Sequence, residues 1–312
     1  MTEILLKTNH RTLKIFFLAL ALSFSIFNSL ELRAASGILV LETDFGVKDA
    51  AVSAMKGVIY SVDKDLVVSD LTHEIPAYNI WDAAYRLQQA ASYWPEGTVF
   101  VSVIDPGVGT LRKSIVAKSK NGQFFVSPDN GTLTLVEESL GFSEVREIDE
   151  SKHRLKGSNN SYTFYGRDLY SHTGAKLAAK KISFDQVGPK LEQPIVKLSY
   201  SKAKIDLGIL KGNIASLDPQ YGNVWTNISS KLAENYGMFA GNKYKVKIFY
   251  KGEKKYEAML PFKKTFGEVP EGSDLFYTNS LMNISIATNM GNFAQSKKIE
   301  SGSDWTIEID KN

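Results

Sequence analysis

Short apolar runs alternate with amphipathic segments in the first part of the sequence, and each apolar run ends in polar residues. The apolar runs are GILVLETDFG, LVVSDLTHEIP and GTVFVSVIDPG, and between them lie DAAVSAMKGVIYSV and NIWDAAYRLQQAASYW. This alternation predicts strand–helix–strand units and therefore a largely parallel sheet. The carboxyl ends of such strands meet at one edge of the sheet, where ligands bind. Residues 37–190 are thus predicted to form an α/β domain with a site at that edge.

The second part of the sequence has a different pattern. SIVAKSKNGQFFVSPDNG predicts two strands joined by a hairpin at Asn121 and Gly122. From Leu207 onward the segments are short, rich in β-formers and separated by turns, as in LGILKGNIASLD, KYKVKIFYKGEKKYEAML and WTIEID. This pattern is typical of an antiparallel sandwich or barrel. We therefore predict a smaller, antiparallel β-barrel-like domain over residues 205–312, joined by a linker over residues 191–204.

Composition and charge exclude several classes of function. Apolar residues make up 43% of the chain and charged residues 23%, as in soluble globular proteins. The formal net charge is +3, and no basic face is apparent, so no nucleic-acid partner is expected. The chain has no cysteine and four histidines, none of them paired at ligand spacing. This pattern predicts no metal site, no disulfide and no lipid-anchor cysteine.

The N-terminus has the pattern of an export signal. Basic residues precede an uncharged apolar run over residues 15–27, and small residues follow at positions 34–36. The run is shorter than the roughly 20 residues that a membrane-spanning helix needs. Residues 1–36 are therefore predicted to be a cleaved signal peptide, and the mature protein to be periplasmic or secreted, without stable membrane association. An uncleaved membrane anchor is the alternative.

The stretch VSVIDPGVGTLR places Asp105 at the end of a strand, followed by two glycines and Arg112. A carboxylate at a strand end is often only a turn former or a helix cap. Asp105 and Arg112 have an equally ordinary interpretation as an ion pair that braces a turn. Two other strand ends, at Asp44 and at the THE stretch around His73, are polar as well. Three such ends in succession favour a functional site, although His73 itself is predicted to be structural.

Several motifs occur along the chain in one order: TDFG, MKGVI, DLTHEIP, GTVFVSVIDPGVGTLR, VSPDNGTL, TFYGRD, YGNVWTNI and TNS. This ordered set resembles the S-adenosyl-L-methionine (SAM) hydroxide adenosyltransferases, or SAM hydrolases, which are related to the SAM-dependent fluorinase and chlorinase. The resemblance implies hydrolysis of SAM to adenosine and L-methionine, by attack of water or hydroxide at the ribose C5′. It also implies a homotrimer with sites between one subunit's N-terminal domain and its neighbour's C-terminal domain. SAM would be the small-molecule substrate, and no cofactor is implied.

The resemblance also assigns residues to this site. Asp105 and Arg112 match two members of the family's water-activating set, and Tyr165 stands where the third member is a histidine. The positions that match substrate contacts are Asp44, Asp49, Tyr78, Phe164, Gly166, Asp218, Tyr221, Asn223, Phe266 and Ser280. Of these, Asp44 matches the carboxylate that binds both ribose hydroxyls, a role suited to two acceptor oxygens. Each position also has a structural interpretation, such as a helix-start charge for Asp49.

Departures from the family pattern keep two alternatives open. Tyr165 and Gly166 resemble the chlorinase at this point, so a halide (chloride) adenosyltransferase is one alternative. Leu281 replaces an arginine that follows the serine of the fluorinase, and together with the missing histidine it favours a non-catalytic protein that binds SAM or adenosine. Against halide transfer, Asp105 stands where both halogenases carry a tyrosine. A carboxylate there repels a halide and helps water.

Overall fold

Residues 37–311 of the chain are described by a computed structural model. The predicted export segment, residues 1–36, lies outside these residues. Within residues 37–311, no helix has both the length and the apolar character needed to cross a membrane.

The first sheet has six strands and is largely parallel. Strands β1 to β6 span Ile38–Thr43, Val67–Thr72, Val99–Val103, Ser114–Ser119, Phe124–Pro128 and Phe142–Glu147. Their spatial order is β2-β1-β3-β5-β4-β6. β1 pairs in parallel with β2 and β3, and β3 with β5, whereas β4 is antiparallel to β5 and β6. β4 and β5 are the hairpin predicted from the sequence, and Gly122 in its turn has a φ of 83°.

Helices cover both faces of this sheet. Helices α1 to α5 span Ala51–Val62, Ile80–Ala91, Thr134–Leu140, Glu150–His153 and His172–Ala178, and a π-helical turn spans Gly166–Ser171. Because side chains alternate along a strand, Leu41 packs with Met55 of α1 on one face of the sheet. Val40 packs with Leu87 of α2 on the other face. The Asn79 side chain accepts a hydrogen bond from a backbone N–H in the first turn of α2, which confirms the predicted helix start.

The second sheet is antiparallel and nearly closes into a barrel. Strands β7 to β14 span Lys204–Asp206, Ile209–Leu217, Val224–Ser229, Lys243–Tyr250, Glu253–Pro261, Asp274–Thr278, Asn283–Thr288 and Trp305–Asp310, and helices α6 and α7 span Ser230–Tyr236 and Phe293–Lys297. The order is β11-β10-β14-β8-β9-β13-β12, with β7 beside β8. A bridge between Phe262, just after β11, and Phe276 of β12 links the end strands. The predicted fold class is therefore confirmed.

Helix α2 lies against strand β8 and joins the two sheets. The indole N–H of Trp81 donates to the carbonyl of Ala215 at 2.8 Å, and Arg86 donates to the carbonyl of Leu217 at 2.9 Å. Trp81 and Ala215 also belong to one small apolar cluster, against which Leu281 packs. The leucine that replaces an arginine of the fluorinase therefore contributes to the packing between the two domains.

Residues 191–203, within the predicted linker, contain no helix or strand. Leu191 and Ile195 are nevertheless buried and belong to the apolar core on the α2 side of the first sheet. This segment therefore packs along the N-terminal domain before the chain enters β7.

Candidate active site

Six residues predicted from the sequence come together in one pocket at the carboxyl edge of the first sheet. β1 and β3 are parallel neighbours, so the turns that follow them lie side by side. The pocket between these turns has a volume of about 250 Å³. The predicted residues that line it are Asp44, Tyr78, Asp105, Phe164, Tyr165 and Gly166. We call this cavity the strand-end pocket.

Asp105 lines this pocket and forms a bidentate ion pair with Arg112, which does not line it. Arg112 Nε donates to Asp105 Oδ1 at 2.8 Å, and Arg112 Nη2 donates to Oδ2. The two side chains are only 5% and 10% exposed, respectively. Burial lowers the pKa of Arg112, but the hydrogen bond and the charge of Asp105 outweigh burial and raise that pKa overall. Arg112 therefore remains a cation, and its two contacts fix the orientation of the Asp105 carboxylate.

The turn between these two residues depends on glycine. Its backbone is closed by hydrogen bonds from Val108 N to the carbonyl of Asp105 and from Thr110 N to that of Gly107. Gly109 has a φ of 75°, and a Cβ atom there would lie 3.0 Å from the carbonyl oxygen of Tyr162. A side chain at that position is disfavoured by both conformation and space. The glycines therefore let the turn fold back so that Arg112 reaches Asp105.

Two further residues hold this ion pair, and the sequence analysis missed both. Arg112 Nη1 donates to Ser114 Oγ at 3.0 Å, and that oxygen lies 3.1 Å from the Tyr170 hydroxyl. The Tyr170 hydroxyl in turn donates to Asp105 Oδ2 at 3.5 Å. Burial and the nearby Asp105 charge raise the pKa of Tyr170 well above its ordinary value, so its hydroxyl stays protonated. Neither residue belongs to a local motif that would have revealed this role.

Asp44 also lines the pocket, in the turn after β1. Its Oδ2 accepts a hydrogen bond from Tyr78 N at 2.9 Å, and Tyr78 has a φ of 67°. The turn is also held by His73, whose carbonyl accepts a hydrogen bond from Gly46 N and whose Nδ1 lies 2.8 Å from Thr43 Oγ1. His73 is 5% exposed, in accord with the structural role predicted for it. Asp44 is thereby oriented with one oxygen anchored to the backbone.

Phe164 and Gly166 form an apolar wall of the pocket. The rings of Phe45 and Phe164 meet edge to face, with centroids 5.8 Å apart. A Cβ atom on Gly166 would lie 3.2 Å from Val103 Cγ1 and 3.3 Å from Phe45 Cε2. Glycine therefore allows the chain after Tyr165 to approach the end of β3 closely.

A second pocket, of about 590 Å³, lies in the C-terminal domain. Three of the predicted residues, Tyr221, Asn223 and Phe266, line it. Asp218 shapes its rim, since its Oδ1 accepts hydrogen bonds from the backbone N–H groups of Gln220 and Tyr221, both at 3.0 Å. We call this cavity the barrel pocket. The two pockets share no lining residue.

Asp49 and Ser280 line neither pocket. Asp49 is exposed, and its Oδ1 accepts a hydrogen bond from Ala51 N at 2.8 Å, at the start of α1. Ser280 is exposed in the turn between β12 and β13. Their predicted contacts with substrate therefore stay predictions. Within residues 37–311, no group of three or more acidic, histidine or cysteine side chains is arranged to hold a metal ion.

Known proteins with similar sequences include a hydrolase and a fluorinase. The chain is 38% identical over 195 residues to an (R)-S-adenosyl-L-methionine hydrolase of Methanocaldococcus jannaschii. This alignment covers 61% of this chain and 66% of that protein. It is 27% identical over 290 residues to a fluorinase of Actinopolyspora mzabensis, covering 85% of this chain and 95% of that protein.

Similarity in three dimensions extends over most of the chain. A crystal structure of an uncharacterized conserved protein from Thermotoga maritima superposes with a TM-score of 0.78 at 34% identity, covering 88% of this chain and 99% of that one. The family models of the SAM hydroxide adenosyltransferase N-terminal and C-terminal domains match residues 39–188 and 212–306. These two matches together span most of the chain, which therefore belongs to the SAM hydroxide adenosyltransferase family.

Proposed function

We propose that this protein hydrolyses SAM to adenosine and L-methionine by attack of water on the ribose C5′. The observation that carries this proposal is the buried pair of Asp105 and Arg112, whose carboxylate lines the strand-end pocket together with Asp44. The (R)-SAM hydrolase names of its relatives support the same reaction. Those names also predict a preference for the R epimer at the sulfonium.

The chemistry requires a positioned nucleophile and little else. The sulfonium leaves as neutral methionine, so the leaving group needs no acid. Asp105 orients a water molecule and accepts its proton as the C5′–O bond forms and the C5′–S bond breaks, a role that contributes roughly 10²- to 10⁴-fold. Arg112 keeps the carboxylate aligned, and the neutral Tyr170 hydroxyl donates to it. Asp44, anchored through Tyr78 N, presents its other oxygen to the ribose hydroxyls.

Halide transfer is disfavoured by the same carboxylate. The Asp105 charge alone repels a halide about 4 Å away by about 4 kcal/mol at an effective dielectric constant of about 20, or roughly a thousandfold in occupancy. The Arg112 cation beside it reduces this repulsion, so these values are upper limits. Water carries no such penalty and benefits from a nearby proton acceptor. The pocket therefore favours hydroxide over chloride as the transferred group.

We further propose that the working form is a homotrimer in which the barrel pocket of one subunit completes the strand-end pocket of another. The separation of the two pockets within one chain supports this arrangement, because Asp44 lies in the first and Asn223 in the second. Light scattering should give a trimer. Mixed trimers of an Asp105→Asn chain and an Asn223→Ala chain should regain part of the activity that each variant lacks. A monomer with full activity contradicts the proposal.

Export is also part of the proposal. The basic, apolar and small-residue pattern of residues 1–36 supports cleavage near positions 34–36. N-terminal sequencing of the protein from its native host tests this directly. A chain that starts at residue 37 in a periplasmic or secreted fraction is the expected result, whereas an intact Met1 in a membrane fraction indicates the anchored alternative.

The reaction itself is tested by incubating the purified protein with each SAM epimer in chloride buffer and separating the products by chromatography. We expect adenosine and methionine, and we expect Asp105→Asn to lower the rate by more than about 100-fold while SAM affinity stays within about tenfold. Formation of 5′-chloro-5′-deoxyadenosine identifies the halide alternative. Tight binding without turnover identifies a SAM-binding protein.

A further inference from the structure

Arg154 is a buried cation outside the set of predicted site residues. It follows helix α4, and its side chain is only 7% exposed. Its Nη2 donates to Glu150 Oε2 at 3.1 Å, and its Nη1 donates to the carbonyl of Ser161 at 3.2 Å. Arg154 is thus fixed at both ends of its guanidinium, and it does not line the strand-end pocket.

The ring of Tyr165 contacts two guanidinium groups. Arg154 Cζ lies 4.5 Å from the ring centroid, and Arg112 Cζ lies 4.8 Å from it. Both distances are within the range of about 6 Å over which a cation is attracted to an aromatic face. The Tyr162 ring also contacts Arg154, at 5.0 Å. A continuous series of contacts therefore runs from Glu150 through Arg154 and Tyr165 to the catalytic ion pair.

The hydroxyl of Tyr165 is poorly suited to water activation. Burial and the adjacent Glu150 carboxylate, which is also its hydrogen-bond partner, raise the pKa of Tyr165 above its ordinary value of 10. A phenol of this kind is not a base at neutral pH. Tyr165 as a whole is only 6% exposed, and its hydroxyl interacts with Glu150. The part of Tyr165 that reaches Arg112 is its ring.

We propose that Arg154 is a positioning residue that acts through the Tyr165 ring to hold Arg112, and hence Asp105, in the orientation needed for hydrolysis. The inference rests on the proposed function of the strand-end pocket. In this arrangement the tyrosine that replaces the family histidine contributes an aromatic face, and Arg154 fixes that face in place. Loss of Arg154, which does not line the pocket, loosens Arg112 without removing a contact to substrate, whereas loss of the Tyr165 ring also removes part of the pocket lining.

The kinetic test compares four variants of the intact chain. Tyr165→Phe keeps the ring, so its kcat should fall clearly less than that of Tyr165→Leu, which removes the ring. Tyr165→Leu and Arg154→Met should each lower kcat about tenfold or more, and Arg154→Met, which lies outside the pocket, should change KM less than about threefold. Arg154→Lys keeps a cation and should recover part of the loss. This split between kcat and KM distinguishes positioning from substrate binding.

Arg146 offers a matched control. It pairs with Glu144 at 2.6 Å and lies 5.4 Å from the centroid of the Phe184 ring, so it makes the same kinds of contact outside both pockets. Arg146→Met should lower the free energy of unfolding about as much as Arg154→Met does and leave kcat unchanged. If both variants lose stability and neither loses kcat, the role of Arg154 is purely structural and the proposal is wrong.

A second measurement does not depend on turnover. Hydrogen exchange of the Arg112 Nε–H, followed by NMR, should be at least about tenfold faster in Arg154→Met and Tyr165→Leu and unchanged in Arg146→Met and Tyr165→Phe. If wild type fails to hydrolyse SAM but this exchange pattern holds, the proposed function fails and the positioning role stands. Equal exchange in all variants overturns the positioning role, as does a Tyr165→Phe variant as impaired as Tyr165→Leu.

Discussion

Glu42 is a carboxyl group inside the first sheet, and its ionisation should govern how stability changes with pH. It lies in β1, opposite Ser102 of β3, and is 1% exposed. Ser102 Oγ donates to Glu42 Oε2 at 2.5 Å, while Oε1 has no hydrogen-bond partner among residues 37–311. Burial is the largest effect on the pKa of Glu42, which is raised from 4.5 to about 8. The hydrogen bond from Ser102 and the charge of Arg86 lower this pKa, and the charge of Asp82 raises it.

The sign and size of the effect follow from this pKa. The folded protein binds the proton more tightly than the unfolded chain, so the stabilisation is complete below about pH 4.5 and is lost as the pH rises to about 8. A difference of about 3.5 pH units at about 1.4 kcal/mol per unit corresponds to a loss of about 5 kcal/mol. Above pH 8 this group causes no further change. A carboxamide has no proton to lose, so Glu42→Gln should not show this loss.

Chemical denaturation of wild type and Glu42→Gln between pH 4.5 and 8.5 measures the effect. The two proteins should have similar stability at the acid end, and the variant should become more stable by up to about 5 kcal/mol at the alkaline end. Because the result is a difference between two proteins, other titrating groups cancel. Glu192→Gln removes an exposed carboxylate and should change stability by less than about 0.5 kcal/mol throughout. A difference between wild type and Glu42→Gln that does not vary with pH refutes the reasoning.

Three other substitutions test separate parts of the structure. His73→Gln should raise the KM for SAM about tenfold with little change in kcat, because His73 holds the turn that carries Asp44; an unchanged KM in steady-state kinetics contradicts this. Tyr85→Phe removes a buried hydroxyl without a partner, so thermal denaturation should show stability unchanged or raised by about 1 kcal/mol, not lowered. Gly222→Ala should lower the free energy of unfolding by at least about 2 kcal/mol and weaken SAM binding in calorimetry, since a Cβ at this φ of 66° would lie 1.8 Å from Asn292 Oδ1. Wild-type binding and stability would show that the turn tolerates the methyl group.

The local parts of the site were predictable from the sequence. Asp44 and Asp105 follow apolar runs that form neighbouring parallel strands, and the approach of Arg112 to Asp105 is made within one glycine-rich turn. Periodicity and turn chemistry report such short-range geometry directly. The barrel-like second domain was predictable for the same reason, since its strands alternate and four pairings, β7–β8, β8–β9, β10–β11 and β12–β13, join strands that are consecutive in the chain.

The remaining site residues depend on long-range packing. Ser114 lies only two residues after Arg112, so that contact is local, but its contact with the Tyr170 hydroxyl joins residues that are far apart in the chain. Tyr170 and Arg154 come from segments well after the turn that they support. Glu42 precedes the polar strand end at Asp44 and received no prediction, yet its side chain is buried in the core, because alternation along β1 places it on the same face as Val40.

Tyr78, which lines the strand-end pocket, has a left-handed backbone conformation. A left-handed conformation costs a non-glycine residue about 1–2 kcal/mol, and a glycine at this position would avoid that cost. The tyrosine ring is 72% exposed, so burial of the ring within the chain does not compensate for the strain. A sequence optimised for stability alone would therefore not keep a tyrosine here. Under the proposed function, contact of the ring with the molecule that occupies the pocket, which Tyr78 lines, offers the compensation for this strain.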